Sequence, residues 1–253
     1  MHVPFTNNHG DVEMKLKCLV FASLFSAILF GSFGVNAQTK TLACTAVSEY
    51  LGSNGGVFYD NPVPQCDLFM ELGNGFYGDV WASRSSGHWM EDFGDEVDLI
   101  LGRYGNIGNV QYDVSGGVYI IADPGLGFAD VFFTSGKFSF SLNEQITPYV
   151  KVEYYMPTHG SAPKEGLQTR FGTQFNSGIG ENVLLSLSAE VFHDTGAFDN
   201  DRGWLGDVQV SLRRKLSDSV SVGIIGKYYA PITTMNDGRH GSFAYGLSII
   251  TSF

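Results

Sequence analysis

Basic residues are scarce in this chain, and their scarcity argues against one class of partner. The sequence has 15 Lys and Arg against 26 Asp and Glu, which gives a net charge of -11. Proteins that bind nucleic acid need a basic surface that neutralises phosphates, so we expect no nucleic acid partner. Long apolar runs are also missing. No stretch after residue 38 contains eighteen consecutive apolar residues, so no transmembrane helix is predicted there.

The first part of the chain has the composition of a secretory signal peptide. Two lysines precede an apolar run over residues 18–30, and a cleavage motif between small residues ends at Ala37. The residues before the lysines are largely polar, which makes Met14 the expected start of translation. We therefore predict an N-terminal extension and cleaved signal peptide over 1–37, and a mature domain over 38–253.

Cysteine is rare as well. Of the three cysteines, only Cys44 and Cys66 follow the predicted cleavage site. An even number permits one disulfide in an oxidising compartment. The two residues lie about symmetrically around residue 55 in the first predicted hairpin and share the same face, which brings their Cβ atoms within reach of a bridge. Two buried thiols that never react are the alternative.

Glycine and aromatic residues are abundant instead. The chain has 32 Gly, 20 Phe and 12 Tyr, a composition that favours strands and turns over helices. Breaking it at clusters of Gly, Pro, Asn and Asp leaves twelve segments in which apolar and polar residues alternate, each about the ten residues that a tilted membrane strand needs. The segments are 41–51, 65–73, 76–85, 96–105, 109–121, 130–142, 147–157, 166–176, 182–193, 205–216, 219–230 and 242–253.

The links between these segments alternate in length. They are short after the even-numbered segments and long after the odd-numbered ones, with stretches such as GSNGGVFYDNPVP and TTMNDGRHG. Short periplasmic turns and long external loops are typical of outer-membrane β-barrels. The loops that we expect to face outside are 52–64, 86–95, 122–129, 158–165, 194–204 and 231–241.

The even number of segments, the rhythm of the links and a terminal aromatic residue together favour a closed barrel, because closure in lipid leaves no strand edge unpaired. A soluble β-sandwich would show the same alternation with its apolar faces turned to a shared core, and it is the alternative. The predicted fold is all-β: a closed antiparallel transmembrane β-barrel of twelve strands in the bacterial outer membrane.

The last segment, FAYGLSIITSF, has apolar residues at every second position and ends in Phe. This pattern resembles the assembly signal of bacterial outer-membrane proteins, which the barrel-assembly machinery reads during biogenesis. An ordinary last strand that happens to end in Phe is the alternative. The predicted signal residues are Tyr245, Leu247, Ile249 and Phe253.

Three stretches, NGFYGDVWASR, DEVDLILGRYG and YDVSGGVYI, resemble the TorF family of porins. The chain departs from the family at 48–50, where it reads Ser-Glu-Tyr in place of the usual Ser-Asp-Tyr, and at Asp79, where a small residue is commoner. The resemblance implies an outer-membrane pore. The positions that carry it are Gly75, Phe76, Tyr77, Trp81, Ser83, Glu96 and Asp98.

The face that would point into the barrel carries most of the charge. Segments one to five direct only carboxylates inward, whereas segments six to twelve direct basic residues inward among carboxylates. Opposed charges of this kind order water and favour small polar or zwitterionic solutes. The predicted pore-lining residues are Glu49, Asp67, Glu71, Asp79, Glu96, Asp98, Asp113, Lys137, Lys151, Arg170, Glu190, Arg213 and Lys227, with Glu153, Asp207 and Lys215 on the same face.

These features predict a porin-like channel for passive diffusion of small polar solutes or ions. A plugged structural barrel is the alternative, because twelve strands lie between the eight that side chains nearly fill and the sixteen that leave an aqueous channel. A lipid hydrolase would need a Ser and a His on the outer face near a rim. Only His193 has that position, and no serine motif accompanies it. No metal or other cofactor is expected, and outer-membrane lipid is the expected surrounding.

Overall fold

The computed structural model of the chain describes a large part of the predicted mature domain. The predicted signal peptide lies outside the described residues, and so do parts of three predicted external loops. No helix in the described part of the chain is long and apolar enough to cross a membrane. The described residues are 39–86, 94–123, 127–128, 130–158 and 164–253.

Twelve long strands form one closed antiparallel sheet, in which each strand pairs with the next along the chain and the last pairs with the first. This confirms the predicted barrel. Two short hairpin strands, Tyr50–Leu51 and Val57–Tyr59, lie outside the sheet, and Gly127–Phe128 pairs with the end of the fifth strand. The strands are β1 (Lys40–Val47), β2 (Val63–Gly73), β3 (Phe76–Ser83), β4 (Glu96–Ile107), β5 (Val110–Asp123), β6 (Val131–Ser139), β7 (Ile146–Pro157), β8 (Gly166–Gly178), β9 (Val183–Asp194), β10 (Gly203–Lys215), β11 (Val220–Pro231) and β12 (Ser242–Ser252).

The largest difference from the predicted segments is at β1, which ends at Val47 and not at residue 51. Ser48 still exchanges hydrogen bonds with Tyr245 of β12, but the next residues leave the barrel wall. Tyr50 then pairs with Tyr59 in the short hairpin. The prediction that Glu49 lies on the first strand is therefore wrong, because this residue lies in the bend beyond the end of β1. Its place among the pore-lining residues stays a prediction.

The C-terminal strand closes the barrel. Cys44 of β1 lies opposite Ile249 of β12, and the backbone N–H groups of Lys40 and Phe253 donate to each other's carbonyl oxygens at 3.1 and 2.9 Å. Because β12 also pairs with β11 along its length, its backbone groups are bonded on both sides. A strand at a chain end normally frays, and this pairing holds it.

A disulfide joins the first two strands on the outer face of the barrel. Cys44 and Cys66 are direct cross-strand neighbours, with their Cα atoms 4.1 Å apart, and their sulfur atoms are bonded. The bridge closes a loop that contains the long link between β1 and β2. It therefore limits how far the two ends of that link can separate.

The outer face carries an apolar belt. Large apolar side chains of outward parity are exposed all along β7 to β12. Contact with lipid stabilises this apolar surface. In a closed barrel the backbone polar groups are paired within the sheet. Members of the belt include Val150, Val152, Phe171, Leu187, Val191, Val208, Val210, Leu212, Ile224, Phe243, Leu247 and Ile249.

Candidate functional site in the barrel lumen

The inner face of the barrel carries the predicted charged residues. With the exception of Glu49, each of them lies on a barrel strand with inward parity, and most line one of three lumen cavities. Two of the predicted residues line none of these cavities and contact a neighbouring side chain. Glu71 accepts a hydrogen bond from Tyr104 at 2.7 Å, and Lys227 lies 3.8 Å from Asp207. Arg213 lines a cavity of about 300 Å³ at the end of the barrel with the short turns.

Two further cavities in the described lumen adjoin each other. One has a volume of about 250 Å³ and is lined mainly by β2, β3 and β4 together with the long link after β1. We call it the acidic cavity. The other, of about 370 Å³, is lined by β3 to β9, and we call it the mixed cavity. The two cavities share Asp79, Ile100 and Tyr119, so they meet at one point of the wall.

The acidic cavity has carboxylates and aromatic rings on its walls and no Lys or Arg among its lining residues. One side-chain oxygen each of Asp67, Asp79 and Asp98 is buried and has no hydrogen-bond partner in the described structure. Buried carboxylate oxygens ordinarily have partners, so these three are exceptions that call for an explanation. The carboxylates are Asp67, Asp79, Glu96 and Asp98, and the aromatic residues are Tyr50, Phe58, Trp81, Tyr119 and Phe198.

The mixed cavity contains an ion-pair network centred on Arg170, whose side chain is almost fully buried. Its guanidinium donates to Glu153 at 2.9 Å and also to Glu190. Lys151 lies 2.7 Å from Glu153, and Tyr149 donates to Glu190 at 2.7 Å. Every charged group of this network therefore has an opposite charge beside it, which a buried charge requires.

Lys137 differs from the other basic residues of the mixed cavity. Its ammonium lies 4.3 Å from the centre of the Tyr149 ring, a cation–π contact. Among the described residues, no carboxylate comes within ion-pair distance of it. Lys137 therefore presents to the cavity an ammonium without a direct ion pair, and Asp113 of β5 is its cross-strand neighbour.

The long link after β1 enters the barrel from the end with the long loops. We call residues 48–62 the plug segment. Tyr50 donates a hydrogen bond to Glu96 at 2.5 Å on the acidic side. On the opposite side Arg170 donates to the carbonyl oxygen of Ser53, and Arg239 donates to that of Asn54 at 2.9 Å. The plug segment thus bridges the lumen from one wall to the other.

Apolar packing seats the plug segment against β9 to β12. Leu51 belongs to a buried cluster with Phe192, Leu205 and Tyr229. At the tip, Gly55 has φ of +80°, and a Cβ atom there would lie 2.6 Å from Leu205 Cδ2. Both the backbone conformation and the close approach require glycine at this position.

Arg239 connects the plug segment to two other outer loops. Its side chain is buried and donates to Asp194 at 3.0 Å and to Asp237 at 2.7 Å, besides the contact with Asn54. It also donates to the carbonyl oxygen of Asp201 at 2.6 Å. One guanidinium therefore holds together backbone and carboxylate acceptors from several segments, which suits its fixed fork of donors.

Sequence reasoning missed the plug segment, because it treated 52–64 as an external loop. A signal was present in the GSNGG stretch at 52–56, whose small residues allow a backbone to approach a wall closely. Arg239 was overlooked for a similar reason: it falls in a predicted external loop, and its acceptors come from residues far away in the chain.

The hydrolase alternative depends on His193, the histidine near a rim of the barrel. His193 lies on the outer face and packs against Trp204, with ring centres 5.1 Å apart. Among the described residues, no group of three His, Cys, Asp or Glu side chains is arranged to hold a metal ion.

The barrel is similar in fold to solved outer-membrane channels. It superposes on the NanC porin with a TM-score of 0.58 and 8% sequence identity, covering 83% of this chain and 98% of that one. The KdgM porin gives a TM-score of 0.53 and 8% identity, covering 84% and 99%. An outer-membrane channel from Pseudomonas putida F1 gives 0.53 and 12% identity, covering 88% and 98%. No family model and no curated protein sequence matches the chain.

At these identities the likeness shows the fold, which is that of porins and related channels. The closed barrel of twelve strands and its apolar outer belt supply the remaining argument, since such a surface is stable only in lipid. The chain is a bacterial outer-membrane β-barrel with the fold of porins and related channels.

Proposed function

We propose that the chain is an outer-membrane channel for passive diffusion of small polar solutes or ions, and that the plug segment narrows it. The observation that carries this proposal is the pair of adjoining cavities lined by charged side chains within the barrel. A barrel filled only for stability has no need of unpartnered carboxylates in its lumen, because each of them costs free energy. A hydrated path for polar solutes has a use for them.

A plugged structural barrel is the second candidate. The contacts of the plug segment favour it, since Tyr50 binds one wall while Ser53 and Asn54 bind the other. Either function fits the same fold. They differ in whether solutes pass while these contacts are intact.

Planar-bilayer recordings distinguish the two candidates. We expect the refolded wild type to give small, discrete conductance steps, and a variant with the apex 52–56 shortened to two glycines to give larger ones. A silent wild type beside a conducting variant would favour the plugged barrel. If neither conducts although both show heat-modifiable migration on gels, the channel function is wrong.

The finer assignment to the TorF family is part of the same proposal. Three positions that carry the resemblance, Trp81, Glu96 and Asp98, line the acidic cavity. Their common position at this cavity supports the assignment, which implies that they take part in permeation. We infer that the chain works by passage of solutes and not by catalysis, since its charged side chains line cavities inside the barrel and no serine motif accompanies His193 on the outer face.

We also propose that the barrel-assembly machinery recognises β12 and that the long loops face the outside of the cell. Tyr245, Leu247, Ile249 and Phe253 are exposed on the outer face, as a signal read from the strand would require. Deleting Phe253 should lower insertion into the outer membrane and leave export across the inner membrane intact. Normal outer-membrane yield of the deletion would contradict this role.

A further inference from the structure

The acidic cavity has a composition that selects one class of solute. We propose that it binds an organic cation, a small solute with a primary ammonium or guanidinium group, between its carboxylates and its aromatic rings. The inference rests on the proposed channel function for its physiological meaning. The binding itself can be measured whether or not the barrel conducts.

The first argument is uncompensated charge. The cavity is lined by four carboxyl groups and by no Lys or Arg, and three of these groups have a buried oxygen without a hydrogen-bond partner in the described structure. Of the basic side chains of the neighbouring cavity, Arg170 and Lys151 are already paired with glutamates. Lys137 lines only the mixed cavity and not the acidic one. A cation from outside the chain would favour the ionised forms of these buried carboxyl groups and would be stabilised by them in turn.

The second argument concerns the kind of cation. The described Asp, Glu, His and Cys residues form no cluster close enough to hold a metal ion. A larger cation can reach carboxylates that stand apart, since an ammonium has three donors and a guanidinium has five. The cavity volume of about 250 Å³ leaves room for a small organic molecule.

The third argument is the aromatic lining. Tyr50, Phe58 and Trp81 lie on the cavity wall, with the Tyr50 ring centre 5.3 Å from that of Phe58 and 5.5 Å from that of Trp81. Aromatic faces attract organic cations, and the same rings pack against the methylene groups that carry an ammonium. A hydrated inorganic ion would gain nothing from these apolar surfaces.

The neighbouring mixed cavity would help to keep anionic solutes out of the acidic cavity. An anionic solute entering the lumen would find the ammonium of Lys137 in the mixed cavity, where no described carboxylate lies within ion-pair distance of it. Beyond the shared residues Asp79 and Tyr119 it would meet only negative charge. Tyr50 and Ser53 of the plug segment also line the acidic cavity, so a bound cation would contact the plug directly.

Trp81 provides a direct readout of binding. In a refolded Trp89→Phe, Trp204→Phe background, Trp81 is the remaining tryptophan, and its emission should change on titration with n-butylammonium. Butyrate, which has the same carbon chain and the opposite charge, should leave the emission unchanged. Equal responses to both probes, or no response to butylammonium, would overturn the proposal.

A matched pair of variants tests the carboxylates. Asp67→Asn with Asp98→Asn should weaken butylammonium binding at least about tenfold, because two charge partners are lost. Asp113→Asn makes the same chemical change at a lumen carboxylate outside the acidic cavity, where Tyr77 donates to it at 2.8 Å, and it should bind butylammonium like the parent. Heat-modifiable migration establishes that each variant has folded. Undiminished affinity in the folded double variant would overturn the proposal.

The outcome is separable from that of the channel proposal. If butylammonium but not butyrate changes the Trp81 emission in a barrel that does not conduct, the cation site is supported and the channel proposal is wrong. Conductance without any quenching by butylammonium would support the channel and overturn the cation site.

Discussion

The two walls of the lumen differ less in how many charges they carry than in how those charges are paired. On β2 to β4 the carboxylates of the acidic cavity face no basic lining residue. On β7 to β9 Arg170 is paired with Glu153 and Glu190, and Lys151 shares Glu153. The wall that carries the basic residues is therefore almost neutralised, whereas the carboxyl groups of the opposite wall have no described basic residue beside them in the acidic cavity.

This difference gives the two walls different expected roles: the paired wall stabilises the fold, and the acidic wall selects solutes. A satisfied network of buried ion pairs holds its members in one geometry, and removing one member leaves the others unpaired. Carboxylates without partners add nothing to folding, but they raise the local concentration of cations. We therefore expect substitutions on the paired wall to affect folding most, and substitutions on the acidic wall to affect permeation most.

The largest effect should come from breaking the paired wall. Arg170→Met leaves Glu153 and Glu190 without their guanidinium and releases the carbonyl oxygen of Ser53. Removing one partner of a buried ion pair costs about 3–5 kcal/mol, so we expect the free energy of unfolding to fall by that amount. Urea unfolding of the refolded barrel in lipid vesicles, followed by tryptophan emission, measures it.

Lys137→Met is the control for this change. It removes a basic residue from the same cavity, but no described carboxylate depends on Lys137 for an ion pair. We expect it to change the free energy of unfolding by less than about 1 kcal/mol, the scale of a cation–π contact at a partly open site. Equal losses for the two variants would show that the pairing of the walls does not matter for stability.

The acidic wall should determine ion selectivity. Glu96→Gln with Asp98→Asn should move the reversal potential toward anion preference, because it removes two of the four carboxyl charges of the acidic cavity. The wild type should be mildly cation-selective, and its preference should shrink at high salt, since the Debye length is about 8 Å at physiological ionic strength. Reversal potentials in a salt gradient across planar bilayers measure both effects.

Asp113→Asn serves as the matched control, since its carboxylate is occupied by Tyr77 and lies outside the acidic cavity. We expect a smaller shift of the reversal potential than for the double variant. A strongly anion-selective wild type, or equal shifts for both variants, would mean that the acidic cavity does not control the passage of ions.

The barrel and the inward parity of the charges could be predicted because both follow from alternation, which is local in the sequence. A residue such as Lys151 lies between outward valines, and this spacing fixes its face. The pairing of charges could not be predicted in the same way. Glu153, Arg170 and Glu190 come from three strands, and their contacts depend on the stagger between strands, which alternation does not specify.

The plug segment was beyond sequence reasoning for a different reason. Its contacts with Glu96 and Arg239 join residues far apart in the chain. A polar, glycine-rich link also has the composition of an exposed loop. The register of β1 and β2 did follow from the sequence pattern, in that Cys44 and Cys66 were expected to face each other and they lie opposite in the sheet.

A smaller effect is expected from loosening the plug on the acidic side. Tyr50→Phe removes the hydrogen bond to Glu96, a bond to a carboxylate that contributes about 1.5–3 kcal/mol. Amide hydrogen exchange over 48–62, followed by mass spectrometry, should become faster while the barrel strands keep their protection. Tyr59→Phe is the control, because the Tyr59 hydroxyl bonds to the exposed side chain of Ser86, at 3.0 Å. Equal acceleration in both variants would contradict an anchoring role of Tyr50.

The smallest effect concerns the anchor on the other side, and it depends on pH. Burial alone would raise the pKa of Asp237, but the backbone N–H groups of Arg239 and Asp201 and the Arg239 guanidinium together hold that pKa below its ordinary value. The ionised carboxylate therefore stabilises the folded loops at any pH above the ordinary aspartate value of about 3.9, and this contribution is lost as the pH falls through the lowered pKa.

We therefore expect hydrogen exchange over the plug segment to show a loss of protection below about pH 4, after correction for the intrinsic exchange rate. Asp237→Asn keeps an oxygen that can accept from the same N–H groups but cannot be protonated, so its plug segment should be slightly less protected at neutral pH and should lack part of the acid response. Asp218→Asn is the matched control, since this aspartate pairs with Lys215 in an exposed turn at the other end of the barrel. If the acid response of Asp237→Asn equals that of the wild type, Asp237 does not hold Arg239 in place, and the plug depends on Asp194 and the backbone acceptors of Arg239 instead.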